Sequence, residues 1–223
     1  METAKKAAGE KAAALIQNGM VVGLGTGTTA AYFIQSLIHK CHQGLEIQAV
    51  ASSDQSFKLA KAGNIPLIDI NTIEAIDLTV DGADEIDPQK QMIKGGGGAL
   101  LREKIVACMS REMVVIVDET KVVDRLGKCK LPVEIIPFGH PATIRKLNHL
   151  GYRGALRQTA EKKLFVTDNG NYIYDIHLNP QKCRPIEDHE MIIQIPGVVE
   201  TGFFFNIAGR VIVGFLDGQA VIQ

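Results

Sequence analysis

Short apolar runs alternate with amphipathic stretches through the first two-thirds of the chain. Residues 3–18 predict a helix, with Thr3 as a possible N-cap and Gly19 just past its end. Residues 20–24 are a short apolar strand running into Gly25-Thr26-Gly27-Thr28-Thr29, and 30–39 continue as a helix. A strand over 47–51 is followed by Ser52, Ser53, Asp54 and a helix that stops at Gly63. Further strands are expected at 65–68, 78–80 and 113–117, and a glycine run at 95–98 opens a helix reaching about Ser110. Strands alternating with helices imply βαβ units and a mainly parallel sheet.

The pattern changes after about Leu131. Helix 141–150, strand-like 152–158, a helix over 186–194 and two apolar segments around Asp168-Asn169-Gly170-Asn171 follow. That tetrapeptide, between 164–167 and 172–177, is a hairpin signal. This stretch reads as a small α+β domain, after which the runs 203–205 and 211–215 are placed to rejoin the main sheet.

Composition narrows the function classes. Of 223 residues, 46% are hydrophobic and 22% charged, and the net charge is -1, so no basic field points to nucleic acid. No apolar run approaches the length of a membrane span, and the charged start has no signal-peptide core. Cys41, Cys108, Cys129 and Cys183 form no C-x-x-C pair and read as reduced thiols of a cytoplasmic protein. The histidines show no metal-ligand spacing, so no metal is expected.

Ligands of an open parallel sheet sit beyond the carboxyl ends of its strands. The polar residues there are Thr26, Thr28 and Thr29; Ser52, Ser53 and Asp54; Asp81 and Asp84; Asp118 and Lys121. The segment 25–30 fits G-x-G-x-x-G/A, with Asp54 as a ribose-binding acid, so a nicotinamide enzyme is one reading. The other is a hydroxyl-rich loop and helix N-terminus that bind a compact phosphate. Lys94 precedes the run Gly95-Gly96-Gly97-Gly98, which is either a flexible turn or a place where backbone approaches a ligand. On the following helix Glu103 falls among Ala99, Leu100, Ala107 and Ser110, while Arg102 and Lys104 point elsewhere. Burial there raises a carboxyl pKa and suits a general base. An ion pair with Lys104 or Arg102, or an exposed Glu, is the competing reading.

GLGTGTTAAYF at 23–33, DLTVDGADEID at 77–87, MIKGGGGALLREKI at 92–105, VDETKVVDRLGK at 117–128, LPVEIIPF at 131–138 and IPGVVETGFF at 195–204 resemble type A ribose-5-phosphate isomerases. The resemblance implies a Rossmann-like α/β domain at 1–130, rejoined by 203–223, with a smaller ferredoxin-like α+β domain at 131–202. It implies an aldose–ketose isomerase of the pentose phosphate pathway that needs no cofactor, acts on a pentose phosphate, and forms a homodimer or homotetramer. It also implies Glu103 as catalytic base, with Asp81, Asp84 and Lys94 beside it. The substrate contacts it implies are Thr26, Gly27, Thr28, Thr29, Gly82, Ala83, Gly95, Gly96, Gly97, Lys121 and Lys5. Thr28 stands where many members have serine, which keeps the hydroxyl, and Gly98 where many have alanine.

Overall fold

Alternation of strand and helix governs the observed order. The computed structural model describes every residue from Met1 to Gln223. In chain order the elements are α1 (Glu2–Ala13), β1 (Val21–Leu24), α2 (Thr28–His42), β2 (Gln48–Ala51), α3 (Asp54–Ala62), β3 (Leu78–Asp81), β4 (Glu85–Ile86), β5 (Met92–Ile93), α4 (Leu100–Cys108), β6 (Met113–Asp118), β7 (Leu131–Ile135), α5 (His140–His149), β8 (Gly154–Leu156), β9 (Tyr172–Ile176), α6 (Pro185–Ile193), β10 (Val198–Thr201), β11 (Phe203–Phe204), β12 (Ala208–Gly214) and β13 (Ala220–Ile222). They fall into two units. The first is Met1–Ala83, Arg102–Val122 and Asn206–Gln223; the second is Asp84–Leu101 and Val123–Phe205. No helix is long and apolar enough to cross a membrane.

The first unit holds a six-stranded sheet in the order β13-β12-β6-β3-β1-β2. Every neighbouring pair is parallel except β12 with β13. Its central strands read as unbroken apolar runs because both faces are covered, and all of β6 is buried. Helix α1 turns Ala4, Ala8 and Ala12 inward at four-residue spacing. This small-residue face lets it lie close to α2: a Cβ on Gly9 would stand 2.6 Å from the Phe33 nitrogen.

Three expectations for this unit change. Helix α1 starts at Glu2, so Thr3 sits inside its first turn and does not cap it. It also ends at Ala13, where tighter bonds from Leu15 to Ala12 and Ile16 to Ala13 swing Ile16 into the core. Residues 65–68 make only a bridge between Leu67 and Ala49. Pro66 has no N–H to extend a ladder.

The second unit holds two sheets. The larger has the order β10-β7-β9-β8, antiparallel throughout, and the chain order strand, helix, two strands, helix, strand. That is the ferredoxin-like arrangement. Its core gathers Leu131, Val133, Ile135, Leu147, Tyr174, Ile176 and Ile192. The smaller sheet, β11-β5-β4, contains a hairpin absent from the sequence reading. Asp87 closes that hairpin by accepting from the Gln89 and Gln91 amides at 3.0 and 2.8 Å.

This unit differs from a single segment at 131–202. Residues 84–101 join it, and Phe203–Phe204 pair with β5 rather than rejoining the main sheet. Phe203 packs in the same core as Ile93, which fixes that assignment. The chain returns to the main sheet only at β12. The reversal at 168–171 is present, but its first arm makes isolated bridges instead of a strand. Thr167, Asn169 and Asn171 turn their side chains onto Oε1 of buried Glu134, at 3.0, 3.1 and 2.8 Å.

All four cysteines are free thiols. Burial, reinforced by the Asp188 carboxylate, pushes the Cys183 thiol up to about 12. At pH 8 it is almost wholly protonated and therefore a poor nucleophile. Iodoacetamide at that pH is expected to label exposed Cys108 well before Cys183, read by peptide mass spectrometry. Equal labelling rates would contradict the burial.

Candidate active site

In the first unit the polar residues collect at the carboxyl ends of the parallel strands. Asp81 ends β3 and is 1% exposed. Its Oδ1 accepts from the Thr26 amide at 2.9 Å and the Gly82 amide at 2.7 Å, tying the loop after β1 to the one after β3. Thr26 also shares a 2.9 Å hydroxyl contact with Ser52, which follows β2. Ser53 caps α3, and the Ser56 hydroxyl donates to the Gly25 carbonyl at 2.5 Å. Gly27 has φ +98° and precedes α2, a conformation that side chains rarely adopt. The first turn of α2 therefore presents the Thr28 and Thr29 amides and hydroxyls, with Thr28 exposed. Lys5 reaches across from α1 and donates to the Thr28 hydroxyl at 2.9 Å. Lys121 closes a 3-10 turn capped by Asp118, just past β6.

Glu103 is 3% exposed. Its position along α4 follows from its neighbours on that face. Val106 Cγ1 lies 2.9 Å from where a Cβ on Gly23 would stand, and the Ser110 hydroxyl meets Thr79 Oγ1 at 2.6 Å. The end of the helix is fixed by the Ile76 amide on the Met109 carbonyl, 2.9 Å. Glu103 shares the face of Val106 and Ser110. At ~1.5 Å per helical residue it stands about 4.5 Å beyond Val106. With ~3.3 Å per strand residue, that brings it to the level of Gly25 and Asp81. Arg102 pairs with Asp54 at 3.0 Å. Asp54, the proposed ribose acid, has a side chain 62% exposed and engaged by that arginine.

In the second unit the glycine run forms a hydrogen-bonded turn. Gly95 and Gly98 have φ +100° and +81°, and the Gly98 amide closes onto the Gly95 carbonyl at 2.9 Å. Asp84 Oδ2 accepts from the Gly96 amide at 2.7 Å. A Cβ on Gly96 would fall 2.6 Å from Asp84 Oδ1, so only glycine admits this approach. Lys94 is 2% exposed, its amide donates to the Gly202 carbonyl at 2.8 Å, and its Nζ lies 5.4 Å from the Phe204 ring centre. The amides of exposed Gly96 and Gly97 thus follow a buried, fixed cation.

Known proteins share this fold and much of this sequence. The family model for ribose 5-phosphate isomerase A (phosphoriboisomerase A) matches residues 48–218. The chain belongs to this family. A ribose-5-phosphate isomerase A from Protochlamydia amoebophila is 52% identical over 219 residues, 98% of this chain and 94% of that one. The solved ribose 5-phosphate isomerase A of Methanocaldococcus jannaschii superposes with a TM-score of 0.91 at 38% identity, covering 98% of this chain and 97% of that one. A D-ribose-5-phosphate isomerase in complex with phospho-erythronic acid gives 0.92 at 39% identity, over 98% and 96%.

Some residues that shape these loops of an isomerase A chain escape the sequence reading. Ser56 fixes the Gly25 carbonyl, and Arg157 with Asp175 holds the glycine turn. Their sequence signal is faint: a polar residue at the edge of a short apolar stretch, ALRQT or YIYD, which reads as an ordinary outward-facing position.

Proposed function

We propose that Glu103 carries the proton between C2 and C1 when this chain interconverts ribose 5-phosphate and ribulose 5-phosphate, the reaction of its family. The observation behind this is a buried carboxylate on α4, on the face that Val106 and Ser110 turn toward β1 and β3. The phosphate binds at the amides and hydroxyls of Thr28 and Thr29 with Lys5 and Lys121; Thr26, Gly27, Gly82 and Ala83 supply backbone around the sugar. Asp81 or Asp84 moves the hydroxyl proton that opens the furanose ring. Glu103 then takes the C2 proton from the open aldehyde. The electron pair passes to the carbonyl oxygen and leaves a cis-enediolate, whose charge Lys94 and the Gly95 and Gly97 amides stabilise, while the Gly96 amide holds Asp84. Transfer of the C2 hydroxyl proton to O1 and return of the carbon-bound proton to C1 give the ketose, with no net change of oxidation state. We place the chain in the cytoplasm as a homodimer or homotetramer, which sedimentation velocity would read directly.

The test is incubation with ribose 5-phosphate, with EDTA and without nicotinamide, following ribulose 5-phosphate. Rapid formation of ketose is expected. A folded protein that forms none would overturn the reading.

A further inference from the structure

We propose that Arg157 is a positioning residue for the reaction: it orients the glycine turn so that the Gly96 amide holds Asp84 and the Gly97 amide faces the substrate side. The proposal rests on the function given above. The residue follows β8, and its backbone is fixed on both sides: its amide donates to the Ile173 carbonyl at 2.8 Å and its carbonyl accepts from the Phe165 amide at 2.9 Å. The guanidinium then divides its donors. Nε and Nη2 grip the two carboxylate oxygens of Asp175 at 2.9 and 2.5 Å. Nη1 donates to the carbonyls of Gly95 and Gly96, each at 2.9 Å. The paired side chains are only 16% and 12% exposed. The guanidinium carbon also lies 5.7 Å from the Phe165 ring centre, and the edge of that ring fills the space a Cβ on Gly98 would need, 2.4 Å away.

Peptide planarity turns this grip into an orientation. In a trans peptide the carbonyl and the next residue's N–H point in opposite directions. Holding the Gly95 and Gly96 oxygens on Arg157 therefore aims the Gly96 and Gly97 amides away from it. The Gly96 amide duly meets Asp84. A cation on the carbonyl side also polarises both peptides and strengthens their N–H groups as donors. Four successive glycines have no side chains to hold such a geometry, so the restraint has to come from outside the run. Lysine cannot replace it, because one ammonium cannot bind a carboxylate in a fixed plane and two carbonyls together.

The test compares Arg157→Lys and Asp175→Asn with the unaltered protein in three measurements. These are steady-state kinetics with ribose 5-phosphate, inhibition by phospho-erythronic acid, and amide hydrogen exchange of residues 94–99. The inhibitor's carboxylate spreads negative charge over two oxygens, as the enediolate does. In Arg157→Lys, kcat is expected to fall roughly tenfold or more, because misaimed donors fail where charge develops. The inhibition constant should rise by a similar factor while KM moves within about threefold. Exchange at Gly96–Gly98 should quicken. Asp175→Asn should shift the same quantities less, and it carries the test if Arg157→Lys does not fold. Unchanged kcat and inhibition, or kcat and KM worsening together in step with a lower melting temperature, would overturn the positioning role. If the unaltered protein forms no ketose, the functional reading fails, and hydrogen exchange alone decides whether Arg157 holds the turn.

Discussion

Glu103→Gln is expected to lower kcat about 10²–10⁴-fold, the usual worth of one positioned base, and to leave KM within about threefold. The amide has the shape of the carboxylate, so packing on the inner face of α4 should survive. What it loses is the capacity to accept the C2 proton. Because Glu103 is buried, bulk water cannot easily take over that task. The phosphate contacts proposed at Thr28, Thr29 and Lys121 do not involve this side chain, so ground-state binding should persist. Ketose formation at saturating ribose 5-phosphate measures the first effect. Exchange of the C2 proton with deuterated solvent provides a second readout, which should fall in parallel. A variant that retained near-normal kcat would remove Glu103 from the base role and turn attention to Asp81 and Asp84.

The parallel sheet was legible because its strands are short apolar runs, and β1 and β2 are each followed by a turn and a helix. Register and order were not, since every central strand is apolar on both faces and no alternation marks its neighbours. The β4–β5 hairpin has two-residue strands, too short for any period to show. Its only trace is Asp87-Pro88, an ordinary turn signal. Phe203 to Phe205 look like a strand, yet nothing local says which sheet they join; that depends on a core shared with Ile93.

The site divides in the same way. Residues after each strand stand out by position alone, and Thr26, Ser52 and Asp81 do interlock at the strand ends. Glu103 could not be separated from an ion-paired surface residue by the helical wheel. The partner choice of Arg102 depends on Asp54, 48 positions away in the chain. Arg157 escaped for a related reason. Its task is set by carbonyls 61 and 62 residues earlier, and a bond to backbone leaves no pattern of residue types.

Gly25→Ala is expected to damage the first unit and the activity together, whereas Gly82→Ala should leave stability intact. A Cβ on Gly25 would lie 2.1 Å from Asp81 Oδ1 and 2.5 Å from Asp81 Cα. A rotamer change relieves neither contact fully, because the second is with backbone, so β1 and β3 must shift at their ends. Overpacking of this kind costs about 1–3 kcal/mol. For a protein of this size each kcal/mol lowers the melting temperature by about 2–4 °C. The same shift pulls the Thr26 amide from Asp81 and disturbs the loop proposed to bind phosphate, so kcat/KM should fall roughly tenfold or more, as for a small misplacement of substrate-holding groups. Gly82 is only one residue past Asp81, yet a Cβ there meets nothing nearer than the Ile116 carbonyl at 3.7 Å. Alanine at that position should melt at the same temperature or slightly higher, since it restricts the unfolded chain by about 0.4–1 kcal/mol. Thermal denaturation of the two variants side by side measures the contrast. If they melt alike, the close approach of Gly25 to Asp81 does not hold the strand ends together.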